Sequence, residues 1–206
     1  MKKKMIVIWA VMLSMGIIPV SCDLFCPDSC GCGPSSQFKE FSIKDFAIGD
    51  LLIGTSDFNP NFFYEKDQLF KVIEISGFEY LSQIQESKLH FFFINGAYAC
   101  SPIPPSSIQK IDDLKIINKK EIYLSNNMIL KEEEITDRFL ISNYPTIAGQ
   151  TIPSFLENDH RIFMGEPFYL RWNESIANET ELNFDILIKL SDGQEFKFED
   201  EVMKIK

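Results

Sequence analysis

The chain has 206 residues, carries 20 Lys and Arg against 30 Asp and Glu, and has a formal charge of −10. That length suffices for one domain with a sizeable core, and the acidic balance argues against nucleic acid or an anionic membrane face as an electrostatic partner. With 45% hydrophobic residues and only ten Gly and ten Pro, a disordered, collagen-like or low-complexity chain is excluded.

Residues 1–21 read as an export signal. Lys2, Lys3 and Lys4 precede an apolar run from Met5 to Val20, short for a spanning helix and suited to the core of a secretory signal. The run ends in Pro19-Val20-Ser21-Cys22. Small residues before a cysteine match the lipobox of bacterial lipoproteins, where the peptide is cut before Cys and the thiol receives a diacylglycerol. Pro19 departs from that pattern, which usually has a branched apolar residue there. Cys22 is therefore the candidate lipidation site, with a plain signal peptide or an uncleaved anchor as the alternatives. Several acyl chains on one cysteine hold a protein stably, whereas one chain is marginal. Export would leave a more acidic body, since the signal carries three lysines and no acid.

Residues 22–37 (CDLFCPDSCGCGPSSQ) form a tether rich in Cys, Gly, Pro and Ser with no hydrophobic period. With Cys22 lipidated, Cys26, Cys30, Cys32 and Cys100 remain. Four cysteines in an oxidising compartment suggest two disulfides with three connectivities open. Cys30 and Cys32 are too close for an easy bridge, so one of them is expected to reach Cys100. The spacing C-x3-C-x-C matches no zinc pattern, and the C-x-x-C of redox catalysis is absent.

From Phe38 to Lys206 the pattern is β. Phe41 and Ile43 lead into Phe46-Ala47-Ile48, Leu69 to Ile75 alternates loosely, and Lys88 to Ile94 is a continuous apolar run. Asp113–Ile117, Lys120–Leu124 and Pro167–Trp172 read as further strands. Between Ile129 and Pro153 the pattern is irregular; Glu134 with Arg138 and Ile135 with Phe139 stand at i,i+4, which predicts a short helix, and Ser154–Glu157 predicts a single turn. The clearest element is a hairpin of Leu182–Leu190 with Gln194–Ile205 around Ser191-Asp192-Gly193-Gln194. Its second strand slips phase at Glu199–Val202, as a β-bulge produces. Seven or so short strands predict an all-β, immunoglobulin-like antiparallel β-sandwich with one or two helical turns. Pro102-Ile103-Pro104-Pro105 marks where the body could divide into two tandem sandwiches; a single domain over 38–206 is the expectation.

These features together, namely the lipobox-like start, the C-x3-C-x-C-G-P tether, Ile135-Thr136-Asp137-Arg138-Phe139 and the closing Leu-Ser-Asp-Gly-Gln-Glu-Phe hairpin, resemble uncharacterised lipoproteins of Bacteroidetes, a domain of unknown function. The resemblance implies an outer-membrane lipoprotein of the cell envelope, facing the periplasm or the exterior. It carries no catalytic or binding residue.

Little chemistry is legible. His90 lies among aromatics and His160 in a polar turn, and the signatures of serine hydrolases, zinc proteases, P-loops and dinucleotide folds are absent. The acidic runs Glu132–Glu134 and Glu199–Glu201 lack the ligand alternation of a Ca²⁺ loop and read as solvated faces. Asn173-Glu174-Ser175 and Asn178-Glu179-Thr180 are formal glycosylation acceptors, unmodified in a bacterial setting. The one candidate binding surface is Phe58-Asn59-Pro60-Asn61-Phe62-Phe63-Tyr64, where Phe58, Phe62, Phe63 and Tyr64 flank turn residues and, if exposed, could stack on a sugar ring or a partner surface; the commoner arrangement for such a loop is to fold back and cover a sheet. The expectation is a protein without catalysis or cofactor, held to the membrane by its N-terminal lipid, that binds an envelope protein or glycan. The alternatives are an envelope carbohydrate-active hydrolase working through paired carboxylates in an acid-lined cleft, and a purely structural envelope component.

Overall fold

The computed structural model describes residues 39–54, 58–81, 104–124, 128–145, 148–158, 161–176 and 178–206. All but Pro104 belong to one compact unit, Lys39–Gln83 with Pro105–Lys206. The signal, the tether, all five cysteines, the 88–94 run, His90 and His160 lie outside the described residues.

The strands are β1 (Glu40–Leu52), β2 (Leu69–Tyr80), β3 (Ser106–Ser107), β4 (Ile111–Asn118), β5 (Ile122–Tyr123), β6 (Met128–Ile129), β7 (Phe139–Ser142), β8 (Gln150–Thr151), β9 (Phe168–Trp172), β10 (Thr180–Leu190) and β11 (Glu195–Ile205). A 3-10 turn occupies Thr136–Arg138, and helix α1 is Ile152–Glu157. One sheet runs β3-β1-β2-β9-β7-β8, the other β11-β10-β4, and β5-β6 form a small ribbon. Setting aside the two-residue strands β3 and β8, the order is β1-β2-β9-β7 against β4-β10-β11. Lettered A to G along the chain, that is A-B-E-D facing C-F-G, the strand order of a constant-type immunoglobulin sandwich. The fold is the predicted all-β, immunoglobulin-like sandwich. Strands from both sides of Pro102–Pro105 share the first sheet, so the described residues build one sandwich.

The C-terminal hairpin shows how sequence dictates this. Leu182, Phe184, Ile186, Ile188 and Leu190 are all fully buried, because alternate residues of a strand share a face. Gly193, at φ 89°, makes the tight turn that a residue with a Cβ adopts at a cost, and the Asp192 carboxylate accepts the Gln194 N–H at 3.0 Å. Opposite β10, the pairs Leu182↔Met203 and Phe184↔Glu201 are followed by Ile186↔Phe198 and Ile188↔Phe196. The residues skipped at Glu199–Asp200 form the expected bulge. Strict alternation from Ile205 would have turned Glu199 and Lys197 toward the core; the bulge turns Phe198 and Phe196 there instead, and both pack against it.

The two sheets meet over an aromatic centre. Phe139 of β7 stands edge-on to Trp172 of β9 and Phe184 of β10, with centroids 5.3 Å apart in each pair. The predicted helix around 134–139 is a correction: only Thr136–Arg138 turns, and Phe139 already begins β7. Ile135 and Phe139 are both fully buried, so their apolar spacing reflects a turn feeding a central strand rather than a helix face. The predicted turn at Ser154–Glu157 falls in α1, capped by the Thr151 hydroxyl, which accepts the Ser154 N–H at 3.4 Å.

Candidate functional site

The paired inward stripes of β1 and β2 are apolar except at one place. Leu52↔Leu69, Ile48↔Ile73 and Phe46↔Ile75 flank the pair Asp50↔Lys71. Lys71 thus stands in a core-facing row, its side chain only 4% exposed. Burying an ammonium is tolerated only with close counter-charges, and two are present. Asp50 lies 2.8 Å away on the same sheet, and Glu201 lies 2.8 Å away on β11 of the facing sheet. Glu201 reaches inward because it shares the stripe of Ile205 and Met203, just after the bulge.

Above this triad lies the 58–64 loop. Asn59-Pro60-Asn61-Phe62 is a β-turn, with the Phe62 N–H donating to the Asn59 carbonyl at 3.1 Å and the Asn59 side chain accepting the Asn61 N–H at 3.0 Å. Asn at the first position and Pro at the second are what such a turn favours. Tyr64 anchors the loop: its N–H donates to Lys204 O at 3.0 Å and its carbonyl accepts the Lys206 N–H at 2.9 Å. The Tyr64 hydroxyl accepts the Asn59 N–H at 2.8 Å, and Phe58 stacks on its ring at 5.8 Å. Lys66, Asp67 and Arg171 continue the clamp, through Lys66 bonds to the Asn173 and Glu174 carbonyls and an Asp67–Arg171 ion pair.

Loop and bulge enclose a cup of about 220 Å³. Phe58, Pro60 and Phe62 form its wall, while Asp50, Lys71, Asp200 and Lys204 supply its polar lining. Phe62 is 60% exposed and Phe58 38%, so these two rings face solvent. Phe63 and Tyr64 are half-buried; they support the loop rather than present a surface. Phe63 lies under the Lys204 ammonium, 5.9 Å from the ring centroid, within cation–π range.

The bulge at the rim is itself held from behind. Asp200 has φ 57°, in the left-handed region where Asp and Asn are the commonest non-glycine residues. Its N–H donates to Asp185 Oδ1 at 3.1 Å. Asp185, 5% exposed, also faces Lys119 at 3.3 Å and Lys197 at 3.5 Å. Burial alone would raise its carboxyl, but the Asp200 N–H and the two ammoniums outweigh this and hold it below the usual range. Reading the Glu199–Glu201 run as a solvated face is thereby corrected for Glu201, which binds Lys71; Glu199 and Asp200 are exposed, and Asp200 also lines the cup.

Lys71 and Asp50 were not candidates from sequence, although one signal existed. In Leu69-Phe70-Lys71-Val72-Ile73 a lone cation interrupts five positions that are otherwise apolar. Two other depressions lack exposed rings. One of about 240 Å³ is floored by the buried Phe155 and Phe168, and one of about 290 Å³ lies on the outer side of β1 and β2 beside Tyr169. Among the described residues no group of three His, Cys, Asp or Glu is placed to hold a metal, and no helix is long and apolar enough to cross a membrane.

No protein-family profile matches the chain, and neither the curated proteins nor the solved structures yield a significant match.

Proposed function

We propose that the chain is a lipid-anchored protein of the bacterial cell envelope, acting without catalysis as a binding module whose ligand site is the cup between the 58–64 loop and β11. The observation that carries this reading is the pairing of solvent-facing Phe58 and Phe62 with a fixed polar floor. Large exposed rings gain free energy when an apolar ligand face covers them, and the turn and the Tyr64 anchor hold them in place beforehand. Hydrolysis by paired acids is less well supported. A general acid needs a protonated carboxyl in an apolar pocket, whereas Asp50 and Glu201 both face one ammonium at 2.8 Å, an arrangement that suits a salt link.

The anchor rests on the order of Lys2–Lys4, the short apolar run and Cys22. Palmitate labelling of cells expressing the chain tests it. Label and membrane sedimentation are expected for the wild type and are lost in Cys22→Ala; label that persists without Cys22 refutes the anchor.

A further inference from the structure

We infer that the cup takes a single sugar ring of a neutral glycan, with Phe62 and Phe58 stacked on its C–H face and Asp50, Lys71 and Asp200 bonded to its hydroxyls. This rests on the proposed binding site and adds the ligand class.

Three features select that chemistry. The first is size: about 220 Å³ is below the range that holds drug-sized ligands and fits one ring with its neighbours projecting past the open rim. The second is the mixed lining, an apolar wall of Phe58, Pro60 and Phe62 facing the polar groups of Asp50, Lys71, Asp200 and Lys204, with Leu69 and Val202 between them. A pyranose has the same two aspects, an axial C–H face and an equatorial belt of hydroxyls. The third is charge. The lining holds two carboxylates, Asp50 and Asp200, and two ammoniums, Lys71 and Lys204, so it favours neither an anion nor a cation.

The floor has hydrogen-bonding capacity to spare. Lys71 has three donors, two of which go to Asp50 and Glu201, leaving one for a ligand oxygen. A carboxylate has about four acceptor sites, and hydroxyl donors are what an uncharged ligand can offer them. Asp200 adds an argument of its own. A non-glycine residue at φ 57° is held there by its neighbours at some cost, and such residues cluster at ligand sites. Here Asp185 fixes the backbone N–H and leaves the Asp200 carboxylate on the rim of the cup.

The test is calorimetric titration of the full chain in a polyoxyethylene-ether micelle, since maltoside and glucoside detergents carry sugar rings themselves. The probes are cello-, xylo-, manno- and chito-oligosaccharides, with a peptidoglycan stem peptide as the peptide arm. Saturable binding of at least one saccharide is expected, weakened about tenfold by Phe62→Ala and also by Asp200→Asn, which keeps the side-chain shape and tolerates the same backbone. Tyr123→Ala, on a 71% exposed ring of β5, is expected to leave the affinity unchanged. Saccharide binding unaffected by Phe62→Ala and Asp200→Asn places the sugar elsewhere and overturns the inference. Binding of the stem peptide alone, lost in Phe62→Ala, overturns the sugar and leaves the cup as a binding site. No binding of any probe overturns the neutral-sugar assignment, while the reading of the cup as a site stands or falls on its solvent-facing rings.

Discussion

Lys71 and Asp185 are buried charges on opposite sheets, and each mirrors the other. Lys71 is a cation between two carboxylates, Asp50 and Glu201; Asp185 is a carboxylate between two ammoniums, Lys119 and Lys197. Both reach β11 within two residues of one another, Lys71 at Glu201 and Asp185 at the Asp200 N–H. They differ in what remains after these bonds are counted. Asp185 spends one oxygen on the Asp200 N–H and the other on two lysines, and it lines no cup. Lys71, though its side chain is only 4% exposed, keeps a donor and lines the cup. One pins the bulge, and the other uses the rim that the bulge creates.

The largest effect comes from stripping Lys71 of its partners. Asp50→Ala combined with Glu201→Ala leaves a nearly inaccessible ammonium unpaired, which costs about 3–5 kcal/mol of unfolding free energy, read as a lower urea midpoint. Adding Lys71→Met to that pair is expected to return most of the loss, because the stranded charge is gone and the stem volume is kept. A triple variant no more stable than the double would show that the loss came from packing around β1 and β11 instead.

Asp185→Asn is expected to cost less, about 1–2 kcal/mol at neutral pH, since Lys119 and Lys197 are partly solvated and the amide oxygen still accepts the Asp200 N–H. Its pH dependence is the sharper test. The folded-state carboxyl lies below its unfolded value, with burial opposing the shift and the Asp200 N–H and the lysines prevailing. The stabilisation is therefore present above the ordinary Asp value of about 4 and is lost as the pH falls through the lowered folded value. In urea titrations from neutral pH downward, the gap between wild type and Asp185→Asn should hold to about pH 4 and then close. A gap independent of pH would mean that shape, not charge, pins the bulge.

How much of this was legible in the chain differs between the two centres for a physical reason. The hairpin of β10 and β11, its turn and its bulge could all be read, because each depends on neighbours along one strand: alternation, a glycine at the turn, a phase slip. Asp185 sat in that pattern as an outward residue, and only the paired strand shows that the bulge folds over it. Strand β7 was missed because its four residues follow a turn, and Ile135 with Phe139 imitate a helical period. The Lys71 triad joins positions 50, 71 and 201, and a contact so distant in sequence leaves no local trace beyond one lysine in an apolar run. For the candidate surface, the turn chemistry of Asn59-Pro60-Asn61-Phe62 marked the loop, but whether its rings are exposed, and which of them support and which are presented, depends on Tyr64 pairing with β11.

The smallest expected change tests whether the Lys71 side is truly open. Phe62 is 60% exposed, so Phe62→Ala should shift unfolding free energy by no more than about 0.5 kcal/mol. Phe58→Ala should cost more, because that ring stacks on Tyr64 and its loss loosens the loop's anchor. The order of the two matters more than either value. If Phe62→Ala is the more destabilising and costs over about 1 kcal/mol, as loss of a packed ring does, then in solution the ring lies down over Leu69 and Lys71. The cup would then be filled by its own wall, Lys71 would be as closed as Asp185, and the triad would be a second structural pin. If instead Phe62→Ala leaves the urea midpoint in place while it weakens saccharide binding about tenfold, the ring is held out for a ligand and contributes nothing to the fold. That pair of outcomes separates a cover from a platform, which exposure alone does not.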